Sequence, residues 1–240
     1  MKKIIFGAIL LALFSTSCKK DDQNRDGTPA AGSYINQTAG TTWNFKSTDS
    51  SALTSTNYTV TSSTRDTNVN GRVYHIFNNS NGGNQYLNVS GSDYYQYSSL
   101  GAGLPAFELR YLSDNATVGS SWTNPLSATT TLNGTSVTIN ATVKTSVEQK
   151  GGSLTINGKN YTNVITMRTE IQNATVQVSF FNLPVNFTTQ NVVQYYAPKY
   201  GLIKRSANLV ANITVPGNPP TTQEIINTYT VDELMSSSIQ

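Results

Sequence analysis

Alternation of polar and apolar side chains is the main structural signal in this chain of 240 residues. It is clearest in residues 136–144, where Val137, Ile139, Ala141 and Val143 are separated by polar residues. A period of two is typical of a β-strand that buries one face and exposes the other. Similar runs predict further strands at residues 57–62, 72–77, 86–89, 94–97, 107–112, 154–156, 164–169, 175–181, 191–196, 201–205, 209–215 and 224–231.

Short turns separate these predicted strands. Asn-Gly pairs at residues 70–71, 133–134 and 157–158 lie between polar-apolar runs, and tight hairpins need positive φ at both central residues. No segment of the mature chain repeats apolar residues at helical spacing, and its abundant Thr, Val, Tyr and Asn are weak helix formers. We therefore predict an all-β, largely antiparallel sheet, sandwich or strongly curved sheet with almost no helix after the signal peptide.

The amino terminus has the pattern of a lipoprotein signal peptide. Lys2 and Lys3 precede an apolar run from Ile4 to Phe14, and small residues then lead to Cys18, the only cysteine. An apolar run of eleven residues is too short for a membrane span, which needs about 20 residues, but it suits a cleaved signal. We predict a signal peptide at residues 1–17 and lipidation of Cys18.

Cleavage by ordinary signal peptidase near Ser17 remains an alternative, because Ser15 occupies a position where lipoprotein signals usually have Leu. Residues 18–38 are polar and rich in small residues, which predicts a lipidated, flexible tether. Residues 39–240 then form a single β-rich domain, since all-β domains reach this length without dividing. The lone cysteine excludes an intramolecular disulfide framework.

A degenerate repeat divides the predicted domain into halves at about residues 39–115 and 119–215. Gly-Thr-Thr-Trp at residues 40–43 recurs as Gly-Ser-Ser-Trp at 119–122, and Asn-Gly-Arg-Val-Tyr at 70–74 recurs as Asn-Gly-Lys-Asn-Tyr at 157–161. A Tyr-Tyr pair follows in each half. This order favours duplication of one strand-rich unit, although chance in a biased composition is the alternative.

Two motifs resemble sequence patterns of a known group of proteins. The residues directly after Cys18, Lys-Lys-Asp-Asp, resemble the lysine-acidic tract that directs outer-membrane lipoproteins of Bacteroidota to the cell surface; a solvated charged spacer is the alternative interpretation. Gly-Ser-Ser-Trp at 119–122 with Tyr-Tyr-Ala-Pro-Lys-Tyr-Gly-Leu-Ile-Lys at 195–204 resembles a pattern in uncharacterised β-rich lipoproteins of that group. The resemblance implies an outer-membrane lipoprotein without an assigned activity, and some relatives are thought to form strongly curved sheets.

Charge and composition exclude one class of partner. Removal of Lys2 and Lys3 leaves 14 basic and 13 acidic side chains, and the basic residues are scattered. Nucleic-acid binding needs a concentrated basic surface, so we predict no nucleic-acid partner.

Catalytic motifs are weak in this sequence. His75, the only histidine, lies in a predicted strand, and no Gly-x-Ser-x-Gly motif accompanies it; a sheet histidine bonded to a neighbour is the simpler interpretation. The acidic residues of the domain are scattered singly, which favours surface charges over a pair of catalytic carboxylates. We predict no metal site, no cofactor and no catalysis, and keep a polysaccharide hydrolase as an alternative. The acidic residues considered are Asp93, Glu108, Asp114, Glu148 and Glu170.

Tyrosines provide the best candidates for ligand binding. Tyr rings can stack on sugars or on apolar surfaces while their hydroxyls donate hydrogen bonds. In an adjacent Tyr-Tyr pair the rings lie on opposite faces of the strand, so one of them leaves the core; cross-strand packing is the alternative role. The candidates are Tyr94, Tyr95, Tyr97, Tyr195 and Tyr196.

Together these patterns predict a lipid-anchored cell-envelope binding protein. It would be held in the outer membrane by the lipid on Cys18, at the cell surface or at the periplasmic face. Its expected partners are a glycan, a lipid or another envelope protein. An accessory structural role in an outer-membrane complex is the main alternative.

Overall fold

The computed structural model describes residues 23–24, 33–99, 106–132, 135–178 and 180–239. All regular structure in these residues is β, which confirms the predicted fold class. The strands are β1 (Gln23–Asn24), β2 (Thr42–Asp49), β3 (Thr54–Val69), β4 (Arg72–Asn79), β5 (Gln85–Ser90), β6 (Asp93–Ser99), β7 (Ala106–Ser113), β8 (Ser121–Leu132), β9 (Thr135–Ile156), β10 (Lys159–Val178), β11 (Phe181–Ala197), β12 (Gly201–Val215) and β13 (Thr221–Ser237).

One antiparallel sheet contains two meanders of six strands each. The order across the sheet is β7-β6-β5-β4-β3-β2-β13-β12-β11-β10-β9-β8, and β1 pairs with β3 outside this path. The first meander runs from β2 to β7 and the second from β8 to β13. They join where β2 pairs with β13, so that Phe45 lies opposite Leu234.

The sheet curves until its two edge strands, β7 and β8, approach each other. The indole nitrogen of Trp122 on β8 donates a hydrogen bond to the carbonyl oxygen of Arg110 on β7, and the Arg110 guanidinium lies 4.1 Å from the Trp122 ring centroid. Pro125 lies in β8, an edge strand, where a proline is tolerated because its missing amide proton need not serve a second neighbour. Of the predicted arrangements, the strongly curved antiparallel sheet is therefore correct.

The two ends of the curved sheet differ. At the entry end, defined by residues 33–41 and the turns at 70–71, 114–120 and 157–158, the chain enters the sheet. At the far end lie the turns at 50–53, 80–84 and 216–220, together with Phe180. The described part of the chain before β2 thus contacts only one end of the sheet.

An aromatic core fills the sheet at the entry end. Tyr34 and Ile35 are buried in it; the hydroxyl of Tyr34 donates to the carbonyl oxygen of Asn163 at 2.7 Å, and its amide donates to the hydroxyl of Tyr94 at 3.1 Å. Other members include Trp43, Phe45, Phe77, Tyr111, Tyr161 and Tyr196. The tether predicted for residues 18–38 is therefore too long at its carboxyl end, because apolar side chains from residue 34 onward pack inside the domain.

The loops that precede the first strand of each meander have the same hydrogen bonds. The amide of Gly40 donates to the carbonyl oxygen of Ser62, and that of Gly119 donates to Val147. Ser62 and Val147 each return a bond to the residue after the glycine. Both glycines have positive φ, +80° and +87°, which favours glycine over residues with a Cβ.

The second turn of the first meander has the same backbone conformation as the second turn of the second meander. Asn70 and Gly71 have φ values of 53° and 82°, and Asn157 and Gly158 have 49° and 77°. Positive φ at both central residues is what the predicted tight hairpins require. The third predicted Asn-Gly turn, at residues 133–134, lies outside the described residues. The two Tyr-Tyr pairs lie on β6 and β11, the fifth strand of one meander and the fourth of the other, so they occupy different positions.

Candidate functional site

A large cavity lies inside the curved sheet, between the aromatic core and the far end. It contains about 1300 Å³ of empty space, part of which is open to solvent. Its walls are almost entirely apolar and include Ile139, Val176, Val185, Leu209 and Ile225. A cavity with such an apolar lining and a few polar groups has the character of a site for a hydrophobic ligand.

Small residues keep this space open. Ala141, Ala174 and Ala207 line the cavity from β9, β10 and β12 of the second meander. The side chains of successive strand residues alternate between the two faces, so these alanines occupy inward positions that larger apolar residues fill at the entry end. The same alternation that builds the core therefore leaves a void when the inward residues are small.

The floor of the cavity, next to the aromatic core, is polar. We use this term for Gln96, Thr169, Gln194, Arg205 and Thr230, all of which line the cavity. The hydroxyl of Thr169 donates to the side-chain oxygen of Gln194 at 3.3 Å. The amide nitrogen of Gln194 is a donor that this bond does not use. The floor therefore offers hydrogen-bonding groups below an apolar chamber.

Arg205 of the floor belongs to a buried ion pair. The guanidinium of Arg205 contacts the carboxylate of Asp232, which is only 2 % exposed. Burial raises the pKa of the neighbouring Tyr58 hydroxyl, and the negative charge of Asp232 raises it further, while Arg205 lowers it. Burial of one charge alone would be costly, whereas the pair has no net charge.

A smaller cavity lies within the aromatic core. It contains about 680 Å³ of empty space, also partly open to solvent, and is lined by Tyr34, Trp43, Tyr111 and Tyr196 among others. Gln96 and Gln194 line both cavities. Because other core side chains occupy this end of the sheet, the larger cavity provides the better binding chamber.

Two of the predicted ligand-binding tyrosines, Tyr94 and Tyr196, lie in the aromatic core and are 1 % and 5 % exposed. The hydroxyl of Tyr94 donates to the carboxylate of Asp114 at 2.7 Å. The ring of Tyr196 lies 5.5 Å from that of Tyr111, centroid to centroid, and burial raises the pKa of both hydroxyls. Tyr196 lines the smaller cavity.

The other three predicted residues, Tyr95, Tyr97 and Tyr195, are only partly buried. The guanidinium of Arg72 lies 3.6 Å from the ring centroid of Tyr95, and the rings of Tyr97 and Tyr74 are 5.7 Å apart. None of the five predicted tyrosines is among the described residues that line the larger cavity. Their role in ligand binding stays a prediction.

His75 is connected to Ser62 and Asp66 in the order of a catalytic triad. Its Nε2 atom lies 2.8 Å from the Ser62 hydroxyl, and its Nδ1 atom lies 2.7 Å from the Asp66 carboxylate. However, Ser62 is 1 % exposed and its amide already donates to Thr41. In this geometry the hydroxyl cannot meet a substrate and its amide cannot stabilise an oxyanion, so the three side chains form a buried hydrogen-bonded link between β3 and β4.

The five acidic residues considered in the sequence have separate partners. Asp93 contacts Arg110, Glu108 contacts Arg72, Glu148 contacts Arg168 and Glu170 contacts Lys144, while Asp114 accepts the bond from Tyr94. Burial alone would raise the pKa of the Asp93 carboxyl, but hydrogen bonds from Ser113 and Arg110 lower it overall. Within the described ranges, no three His, Cys, Asp or Glu residues are grouped as metal ligands.

Cys18, the predicted lipidation site, lies outside the described residues. No helix in the part of the chain that the structure describes is long and apolar enough to span a membrane.

Comparison with known proteins identifies a solved structure with a similar fold. No protein-family model and no curated protein matches the sequence. The fold is similar to the crystal structure of a candidate lipoprotein from Parabacteroides distasonis ATCC 8503, with a TM-score of 0.51 and 11 % sequence identity. The alignment covers 88 % of this chain and 100 % of that chain. At this identity the likeness establishes a shared fold.

Sequence reasoning missed the cavity because its lining is spread over many strands. A few inward-facing residues of each strand contribute, and only closure of the sheet brings them together. The available signal was the row of small residues at inward positions, such as Ala141 in its alternating strand. That signal could not show whether the space was empty or filled by another strand.

Proposed function

We propose that this protein is a lipid-anchored protein of the cell envelope that holds an apolar ligand inside its curved sheet. The observation that carries this proposal is the almost entirely apolar lining of the larger cavity inside the sheet. Of the three partner classes expected from the sequence, a lipid fits such a lining best. A glycan would leave most of its hydroxyls without hydrogen bonds against these walls.

The hydrophobic effect provides the binding energy in this proposal. Burial of apolar surface contributes about 25 cal/mol per Å², and the walls offer that surface without rearrangement of the sheet. The acyl chain of a lipid is flexible enough to follow an irregular chamber. The ligand would enter from the far end or between β7 and β8, because the aromatic core occupies the entry end.

Lipidation of Cys18 supports the envelope location in this proposal. Tyr34 and Ile35 join the core at the entry end, 16 and 17 residues after Cys18 in the sequence. A lipid at that position would hold the entry end toward the membrane and leave the far end directed away from it. The likeness in fold to a candidate lipoprotein supports an envelope location, and the Lys-Lys-Asp-Asp tract in the sequence favours the outer membrane and the cell surface.

Ligand binding is tested by displacement of an apolar fluorescent dye from the purified protein by dodecanol. Ala207→Phe would place a ring in the cavity, and Ser206→Phe is the matched control, because Ser206 lies on the opposite face of the same strand. We expect dodecanol to displace the dye from the native protein and from Ser206→Phe, and to bind Ala207→Phe far more weakly. Absence of dodecanol binding to the native protein would overturn the proposed ligand class.

Anchoring is tested separately in cells. Cys18→Ala should block lipid attachment and release the protein from the membrane fraction, as measured by metabolic labelling with a fatty acid and by fractionation. Proteinase K added to intact cells should degrade the native protein if it is surface-exposed. Protection from the protease would favour the periplasmic face.

A further inference from the structure

We propose that the ligand is an amphiphile whose uncharged, hydrogen-bonding group lies on the polar floor and whose apolar chain extends toward the far end. This inference rests on the proposed function and names the chemical class of its ligand. The groups in question are hydroxyls, esters and amides. Free carboxylates and other charged groups would be disfavoured.

The polarity of the cavity changes along its length. The floor contains Gln96, Thr169, Gln194, Arg205 and Thr230, whereas the walls toward the far end are apolar apart from Ser98. An amphiphile in the reverse orientation would press its chain against these polar groups. A polar group that is buried without a hydrogen bond destabilises the complex, so the head-inward orientation is favoured.

The hydroxyl of Thr230 gives independent support for a polar ligand group at the floor. It is 7 % exposed and lines the cavity, and its hydroxyl has no hydrogen-bond partner among the residues that the structure describes. Buried polar groups in folded proteins almost always have a partner. A ligand that carries an acceptor or donor could supply one.

The charges at the floor disfavour a ligand with an ionised head group. Arg205 is the only charged residue among the described residues that line the cavity, and its guanidinium already contacts the carboxylate of Asp232. Addition of a ligand carboxylate would leave one negative charge in excess in a buried, apolar place. Such an unpaired charge is strongly unfavourable, whereas a hydroxyl, ester or amide adds none.

The test compares ligands that share a chain but differ in the head group. Dodecanol, monolauroylglycerol and dodecanoic acid, the last ionised at neutral pH, are used to displace the apolar dye from the full purified protein. We expect the two neutral ligands to bind about tenfold or more tightly than dodecanoate. In Asp232→Asn, where Arg205 loses its counter-charge, dodecanoate should gain affinity and the order should reverse.

A second pair of variants keeps the test decisive if Asp232→Asn does not fold. Thr230→Val removes the floor hydroxyl at constant shape and should weaken the neutral ligands by several-fold. Thr145→Val is the matched control, because Thr145 is also buried with an unpartnered hydroxyl but does not line either cavity. Equal effects of the two variants would contradict a contact at Thr230.

The outcomes separate the two proposals. If none of the ligands binds the native protein, the proposed function itself fails. If dodecanoate binds as tightly as dodecanol, the function stands and the uncharged class is overturned. If the neutral ligands bind best and Asp232→Asn reverses the order, both are supported.

Discussion

The length of the ligand chain should control affinity in a predictable way. If the cavity buries an acyl chain, each added methylene contributes about 0.8 kcal/mol, which is about a fourfold change in Kd. The step from octanol to dodecanol adds four methylenes, so we expect about 200-fold tighter binding, or about 3 kcal/mol.

The structure also predicts where this increase stops. The lining of β11 extends from Val185 at the far end to Gln194 at the floor, which is about 30 Å along a strand at roughly 3.3 Å per residue and less along the tilted sheet. A chain longer than this depth emerges into water, and further methylenes then contribute little. Affinity should therefore rise steeply along the alkanol series and level off once the chain reaches the far end.

Isothermal titration calorimetry measures both parts of this prediction. Binding should show a negative heat-capacity change that grows with chain length, because apolar surface is buried. In Ala207→Phe the increase should stop at a shorter alkanol, while Ser206→Phe should match the native protein. An affinity independent of chain length would refute the cavity as the site where the chain is buried.

Four further predictions concern stability and exchange. Ser62→Ala removes a partner of the buried His75 and should lower the free energy of unfolding by about 1–3 kcal/mol, measured by urea denaturation; an unchanged midpoint would show that the link between β3 and β4 is unimportant. Burial and a hydrogen bond to a carboxylate raise the pKa of Tyr94 to about 12, above its ordinary value of 10.0. The stability that the neutral Tyr94 contributes is therefore complete below pH 10 and is lost as pH rises toward 12. Tyr94→Phe should lessen this alkaline loss of stability, measured by circular dichroism. Gly158→Ala, at a φ of +77° with open space around it, should cost about 1 kcal/mol in the same urea assay through backbone strain alone, and a neutral effect would contradict that. Phe180 is 98 % exposed at the far end, and Phe180→Ser should slow exchange of a fluorescent fatty alcohol with lipid vesicles without changing its equilibrium affinity; equal exchange rates would exclude a role for this ring in ligand entry.

Much of the fold was predictable from the sequence because alternation reports the two faces of a strand directly. The run at residues 136–144 lies in β9, and the Asn-Gly pairs at 70–71 and 157–158 form tight turns. The boundaries of the strands were harder to predict. The runs at 136–144 and 154–156 belong to one continuous strand, because the intervening polar residues still pair with β10.

Besides the two-residue strand β1, two strands escaped the sequence analysis for physical reasons. β8 contains Pro125 and many Thr residues, which weaken the apolar signal, and its position at the edge of the sheet allows both. In β2, only Trp43 and Phe45 mark the inward face, and most of the other residues are polar. The site was harder still to predict, because the cavity and the contact between Arg205 and Asp232 depend on how far the sheet curves, which no local pattern encodes.

The pairing of β2 with β13 limits the order in which parts of the sheet can fold. These are the first and last long strands of the chain, so the contact between Phe45 and Leu234 closes a loop of almost the whole domain. Contacts at such separation form slowly because the entropy of loop closure opposes them. During synthesis from the amino terminus, the edge of β2 stays unpaired until the final residues are available, and that edge can pair with other chains. A chain truncated before β13 would therefore leave two separate meanders, each with an open edge and with only part of the residues that line the cavity.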